Sequence, residues 1–192
     1  MIYLVSNIHR SGSSMMMRCL EAGGLSPIYD KGADVMNHSA PLDYVPNPNG
    51  FYQFTNEITP DFVQLYDGML VKCPIRKLLW LPLGDYKLVI MKRDPIEIRA
   101  SMSKWTPYQS WGKDEVITHT YDLFIDSLIV ELTKRGDMDV TILNYADIVT
   151  NPIVEFTKLI SWGVDVPAMA ALVQPELYRL KLEDIYGKSR AE

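Results

Sequence analysis

The feature that most constrains the fold is a set of four short, almost uninterrupted apolar runs separated by stretches with helical patterns. Such runs, rich in β-branched and aromatic residues, are typical of strands. Strands that are apolar on both sides occur in parallel sheets with both faces covered. We therefore expect an α/β protein with a parallel sheet. The runs are residues 1 to 6 (MIYLVS), 68 to 73 (GMLVKC), 87 to 92 (KLVIMK) and 140 to 145 (VTILNY).

The stretches between these runs predict helices that cover both faces of the sheet. Two glycines follow the first helix, and Pro95 and Pro152 suit the first turn of a helix. We expect helices over Ser13 to about Ala22, Pro95 to Lys104, Asp114 to Arg135 and Asn151 to Trp162, with shorter pieces near the C-terminus. Residues 29–60, rich in Asn, Pro, Gly and Asp, predict a long loop or lid over the active site.

Length and charge narrow the class of protein. The 192 residues, 47% of them hydrophobic, predict a single domain spanning residues 1–192. The net charge of -5 comes from acids and bases mixed along the chain, which argues against a nucleic-acid or membrane-surface partner. No apolar run approaches the roughly 18 residues that a membrane span needs. We expect a soluble, cytoplasmic protein, with Cys19 and Cys73 as reduced core thiols.

The loop after the first strand, NIHRSG, predicts an anion site. Such a loop brings backbone N–H groups and a helix N-terminus to the carboxyl edge of the sheet. Compared with the phosphate-loop template G-x-x-x-x-G-K-[ST], Gly12 and Ser14 match, whereas Asn7 replaces the first glycine and Ser13 the lysine. Arg10 supplies a cation instead, and its planar fork suits phosphate or sulfate oxygens. The fold expected is thus a P-loop-type parallel β-sheet flanked by helices on both faces.

A second group of residues lies where the third apolar run ends. Arg93 follows that strand, and Ser101 comes eight residues later on the next helix. The two can share a ligand if the strand end and the helix converge at the carboxyl edge. The alternatives are that Arg93 forms a surface pair with Asp94 or Glu97, and that the serine-rich turn is merely structural.

Together the two groups resemble the sulfotransferase superfamily that uses 3′-phosphoadenosine 5′-phosphosulfate (PAPS). In that family a [KR]-S-G-[TS]-[TS] loop binds the 5′-phosphosulfate, and an R-[DN]-P…S element binds the 3′-phosphate. The corresponding segments here are RSGSS, Arg10 to Ser14, and RDPIEIRAS, Arg93 to Ser101. The chain is similar to soluble bacterial or phage-type members.

Further segments extend the resemblance. Residues 70–82 resemble the family's K-x-P segment, 143–152 its Y-E-D-L…P segment, and 47–53 a G-[FY]-[FYW]-E segment. Gln53 and Ala146 depart from these patterns, since each stands where the family usually has glutamate.

The resemblance implies a donor site for PAPS, with adenosine 3′,5′-bisphosphate as product and no metal. Met15 follows RSGSS where cytosolic members have an adenine-stacking tryptophan, and Tyr145 is expected near the adenine edge. The acceptor is a hydroxyl or amine of a small molecule or glycan, and the oligomeric state is open. The donor-binding residues implied are Arg10, Ser11, Gly12, Ser13, Ser14, Met15, Arg93, Ser101 and Tyr145.

The catalytic residues implied are Arg10, Lys72 and a base. Lys72 matches the lysine of the K-x-P pattern and could stabilise the leaving group or bind an anionic acceptor. The base is left open between Glu57, Asp43 and His38, with Glu57 the first choice.

Two other functions remain open. A P-loop kinase would need the missing lysine and a magnesium-binding acid on a neighbouring strand. A nucleotide-binding protein without catalysis is the second, because the base is uncertain and Gln53 replaces a carboxylate.

Overall fold

A computed structural model describes residues 1–31, 50–105 and 114–188. These residues form one α/β domain around an all-parallel sheet of five strands in the order β2-β3-β1-β4-β5. The predicted α/β class, with a parallel sheet flanked by helices, is confirmed. The strands are β1 Ile2–Asn7, β2 Ser26–Ile28, β3 Met69–Pro74, β4 Tyr86–Lys92 and β5 Met138–Asn144.

Eight α-helices lie in the described ranges: α1 Ser13–Ala22, α2 Phe62–Leu65, α3 Pro95–Trp105, α4 Asp114–Arg135, α5 Tyr145–Thr150, α6 Pro152–Thr157, α7 Val166–Ala171 and α8 Leu182–Lys188. Three 3₁₀ turns span Ile75–Trp80, Ile160–Trp162 and Pro175–Leu177. The helices expected from Ser13, Pro95 and Asp114 are confirmed within a residue of their bounds.

Three details differ from the sequence prediction. The short edge strand β2 was not expected, because three residues that include Pro27 carry no periodic signal. Tyr145 begins α5 instead of ending a strand. The single helix expected over residues 151–162 is wrong, since α6 stops at Thr157 and a separate 3₁₀ turn follows.

Alternate side chains of the central strands serve two separate cores. On β4, Leu88 and Ile90 pack with residues of α3 and α4 on one face of the sheet. Val89 and Met91 pack with residues of α1 on the other face. Burial of both faces explains why the central strands are apolar throughout, as is usual in parallel sheets.

The strand order brings three chain exits together. β1 lies between β3 and β4, with Asn7 opposite both Pro74 and Met91. The buried Ser6 hydroxyl donates to the carbonyl of Cys73 at 2.8 Å, which fixes the ends of β1 and β3. The segments leaving β1, β3 and β4 therefore meet at one carboxyl edge, the usual ligand-binding edge of an open parallel sheet.

Candidate anion-binding site

The loop between β1 and α1 has an unusual backbone. Arg10 has a φ of 70° and Gly12 a φ of 94°, so two residues out of three are left-handed. A non-glycine residue in this region is uncommon and costs energy, and such residues cluster at functional sites. Turns of this kind gather successive N–H groups into anion-binding concavities. The local geometry therefore suits an anion.

The N-terminus of α1 lacks a side-chain cap. Its N-cap residue is Gly12, which has no side chain to accept from the first helical N–H groups. The first helical hydrogen bond runs from Met16 N to Gly12 O at 3.1 Å. The N–H groups before it carry the positive end of the helix dipole, which favours an anionic partner.

Ser11, inside this loop, is fully buried, and its Oγ has no hydrogen-bond partner. In the described residues no other buried side-chain nitrogen or oxygen lacks one. An unsatisfied buried hydroxyl costs about 1–3 kcal/mol. An unpartnered hydroxyl beside an uncapped helix end suits a loop that binds a ligand.

The two sequence motifs meet in space. Arg10 Nε donates to Ser101 Oγ at 2.9 Å, across the gap between the loop and α3. Arg93, directly after β4, donates from Nη1 to the carbonyl of Arg10 at 3.2 Å. The strand end and helix thus converge on the loop, as the spacing between Arg93 and Ser101 required.

Arg93 is held in a nearly buried network. Its Nε donates to Glu97 at 2.9 Å, with side chains only 9% and 4% exposed, and its Nη2 donates to Leu180 O at 3.0 Å. The guanidinium also lies over the rings of Tyr145 and Tyr178, 4.8 and 5.3 Å from their centroids. The Glu97 pair considered from sequence does form, but inside the protein. Hydrogen bonds to described residues use three of the five N–H groups of the Arg93 guanidinium.

Sequence reasoning missed the partners from the C-terminal part of the chain. Tyr178 donates its hydroxyl to Glu97 Oε1 at 2.8 Å, and Leu182 N donates to the same oxygen at 3.2 Å. Burial and the Glu97 hydrogen bond raise the pKa of Tyr178. The spacing of Arg93 and Glu97 was the one available signal, since nothing in the sequence near Tyr178 marks it as a partner.

Lys72 comes from β3 and reaches the start of α1. Its Nζ donates to Ser14 Oγ at 2.9 Å and to Phe51 O at 2.6 Å. The Lys72 ammonium group therefore links the backbone at Phe51 to the first turn of α1. The segment that contains Phe51 and Gln53 also lies beside the chain just after β2. There Asp30 N donates to Gln53 O at 2.7 Å.

A shallow, open cleft lies beside the first turn of α1. It contains both residues that the resemblance implies for adenine. Arg18 and Gln174 are hydrogen-bonded to each other at 2.9 Å on its wall. Its lining combines apolar and polar groups: Met15, Tyr145, Leu172, Leu177, Arg18 and Gln174.

The three candidate bases are not joined to this site by any described contact. Glu57 is exposed and makes no hydrogen bond or ion pair with the described residues. His38 and Asp43 lie outside the described residues. The identity of the base therefore stays a prediction.

The fold defines an α/β protein with a phosphate-loop-like strand–loop–helix at the carboxyl edge of its sheet. The chain matches no protein-family model, and no curated protein matches it significantly in sequence. In the described ranges no group of three or more His, Cys, Asp or Glu side chains could hold a metal ion. No helix in those ranges is long and apolar enough to cross a membrane.

Substitution of Gly12 tests whether the loop needs its close approach to Tyr145. A β-carbon on Gly12 would lie 2.3 Å from Cδ2 of that ring, whereas one on Gly24, also left-handed at φ 103°, meets nothing within 4 Å. We expect Gly24→Ala to lose about 1–2 kcal/mol of unfolding free energy through backbone strain. Gly12→Ala should lose at least about 1 kcal/mol more, because the ring must move.

Urea denaturation of the two variants and the parent protein measures this difference. Equal losses for Gly12→Ala and Gly24→Ala would show that Tyr145 yields freely and does not fix the loop.

Proposed function

We propose that the protein is a PAPS-dependent sulfotransferase that transfers a sulfuryl group to a hydroxyl or amine acceptor. The observation that carries this proposal is that the RSGSS loop and the RDPIEIRAS element meet in space. Arg10 is hydrogen-bonded to Ser101, and Arg93 is hydrogen-bonded to the carbonyl of Arg10. A single anionic ligand with two separated phosphate groups would explain why these residues converge. We choose PAPS as this ligand because the residues match the two motifs of the sulfotransferase superfamily.

The loop fits a terminal phosphosulfate group. The left-handed turn, the uncapped start of α1 and the unpartnered Ser11 hydroxyl all favour an anion. We assign the N–H groups of residues 11–14 and the hydroxyls of Ser13 and Ser14 to the 5′-phosphate. Arg10 and Lys72 supply positive charge beside it, which would oppose charge on the leaving phosphate oxygen.

The nucleoside end is assigned to the opposite flank of the loop. Ser101 and the remaining N–H groups of Arg93 would hold the 3′-phosphate, which a bidentate guanidinium suits. Met15 and Tyr145 would pack against the adenine in the shallow cleft. The thioether and the ring offer polarizable and aromatic surfaces for a flat base.

The chemistry requires positioning and charge more than covalent catalysis. PAPS supplies an activated sulfuryl group whose transfer, like phosphoryl transfer, has a loose transition state. Arg10 and Lys72 would stabilise the leaving-group charge, with no role for a metal. A base, for which Glu57 is the first candidate, would accept the proton of the acceptor hydroxyl.

One observation weakens the kinase alternative. Asp94 lies two residues beyond the end of β4, near where a magnesium-binding aspartate would be sought. Its Oδ1 accepts from Ile96 N at 2.8 Å and Glu97 N at 3.3 Å, so it caps α3 instead. This use of Asp94 and the missing loop lysine both favour the sulfotransferase over a magnesium-dependent kinase.

Substitution of Ser101 tests the 3′-phosphate assignment. Ser101→Ala should weaken binding of adenosine 3′,5′-bisphosphate about 10- to 150-fold, since a lost hydrogen bond to a charged group costs about 1.5–3 kcal/mol. Binding of adenosine 5′-monophosphate, which lacks the 3′-phosphate, should change less than 2-fold. Calorimetric titration gives both affinities, with the exposed Ser103→Ala on the same helix as the control. Equal losses for both nucleotides would remove Ser101 from the 3′ site.

Substitution of Arg10 tests the role in catalysis. Arg10→Ala should lower kcat by about 100-fold, the usual effect of removing a group that stabilises transition-state charge. The affinity for adenosine 3′,5′-bisphosphate should fall less than 10-fold. The assay measures release of this product from PAPS with a panel of acceptor alcohols, with and without a metal chelator. Unchanged turnover would assign the charge to another cation, and loss of activity in chelator would favour the kinase.

A further inference from the structure

The sheet order leaves one flank of the loop for the acceptor. The groups assigned to the nucleotide come from the β4 and β5 side of β1, where Arg93, Ser101 and Tyr145 lie. β3 runs along the other side of β1. With the β4 side of the loop assigned to the nucleotide, the residues that follow β3 are left for the acceptor.

The residues that follow β3 carry positive charge. Arg76 is the second residue of the 3₁₀ turn Ile75–Trp80, and it is exposed. It makes no hydrogen bond or ion pair with the described residues. Asn7 and Pro74 are paired across β1 and β3, so His9 and Arg76 each come two residues beyond a matched pair. Both residues therefore lie in the segments that leave two neighbouring parallel strands at the carboxyl edge.

Three positively charged side chains lie near enough to His9 to affect its titration. Partial loss of hydration and the nearby charges of Lys72, Arg76 and Arg10, in that order, lower the pKa of the imidazole. The whole protein has a net charge of -5, so this edge opposes the overall sign. Like charges in one place repel, and an anion bound among them would relieve that repulsion.

We propose that Lys72, Arg76 and His9 form a subsite for an anionic group, a carboxylate or a sulfate, carried by the acceptor near its reacting hydroxyl. The subsite selects acidic acceptors over neutral ones of the same shape. Arg76 is its specificity-determining residue, because its planar fork binds a carboxylate or sulfate edge and no described residue occupies it. The inference rests on the proposed sulfotransferase function.

The test uses the protein saturated with adenosine 3′,5′-bisphosphate, so that the donor loop is filled. Saturation is first established by calorimetry. Sodium sulfate and, separately, sodium acetate are then titrated at constant ionic strength against sodium chloride, while NMR follows the His9 imidazole. Arg76→Gln is compared with Lys134→Gln, which removes the same charge from the exposed C-terminal end of α4.

We expect a saturable shift of the His9 resonance with at least one of the two anions, at millimolar concentrations. The bound anion should also raise the pKa of His9, because a negative charge favours the protonated ring. Arg76→Gln should raise the dissociation constant at least 5-fold, and Lys134→Gln should leave it within 2-fold. The exposed His119 on α4 is the internal control resonance.

The two possible failures are distinguishable. If the bisphosphate does not bind in the calorimetric step, the proposed function fails. If the bisphosphate binds and neither anion gives a saturable His9 response, the anionic subsite is wrong while the donor site stands. An equal dissociation constant in Arg76→Gln and the parent protein would likewise overturn the role of Arg76.

Discussion

The architecture of the candidate site depends on the hydrogen bond from Arg93 to the backbone carbonyl of Arg10. This bond ties the end of β4 to the loop after β1. The same guanidinium reaches Glu97 on α3 and the carbonyl of Leu180 in the C-terminal segment. Removal of Arg93 would leave the carboxylate of Glu97 buried and without its cation, which is strongly destabilising. Arg93 therefore orders the loop as well as offering N–H groups to a ligand.

A network of this kind brings three cations to one edge of a protein whose net charge is -5. Arg10, Lys72 and Arg93 come from three different segments, and each donates to a carbonyl or hydroxyl oxygen there. These acceptors are neutral, and they fix the positions of the cations. Glu97 is the exception, and it lies behind Arg93 toward the C-terminal segment. Three cations therefore lie together at the loop.

Much of the fold could be predicted from the sequence because the central strands of the sheet are buried on both faces. β1, β3 and β4 are apolar runs typical of a covered parallel sheet, and glycines after α1 and Pro95 at the start of α3 mark helix ends. β2 was not predicted because it has three residues and pairs only with β3. The register and strand order, which bring Arg93 to the loop, depend on contacts distant in sequence.

The candidate site could also be predicted only in part from the sequence. The loop and the eight-residue spacing pointed to Arg10, Arg93 and Ser101, because motifs at strand ends carry local signals. Glu97 and Tyr178 were missed, since their roles arise from burial and from the path of the C-terminal segment. Glu57 is the opposite case, a predicted site residue that no described contact joins to the site. Its carboxylate is exposed, and the residue type alone does not indicate where the side chain lies relative to Arg10.

The most direct test of the central claim is a calorimetric comparison of adenosine 3′,5′-bisphosphate with ATP and magnesium on the same preparation. The account predicts micromolar or tighter binding of the bisphosphate and binding of ATP at least ten times weaker. That result would establish the donor class and leave the acceptor and base to be found. The reverse preference would contradict the account, because the loop would then hold a triphosphate, and the convergence of Arg10, Arg93 and Ser101 would serve structure alone.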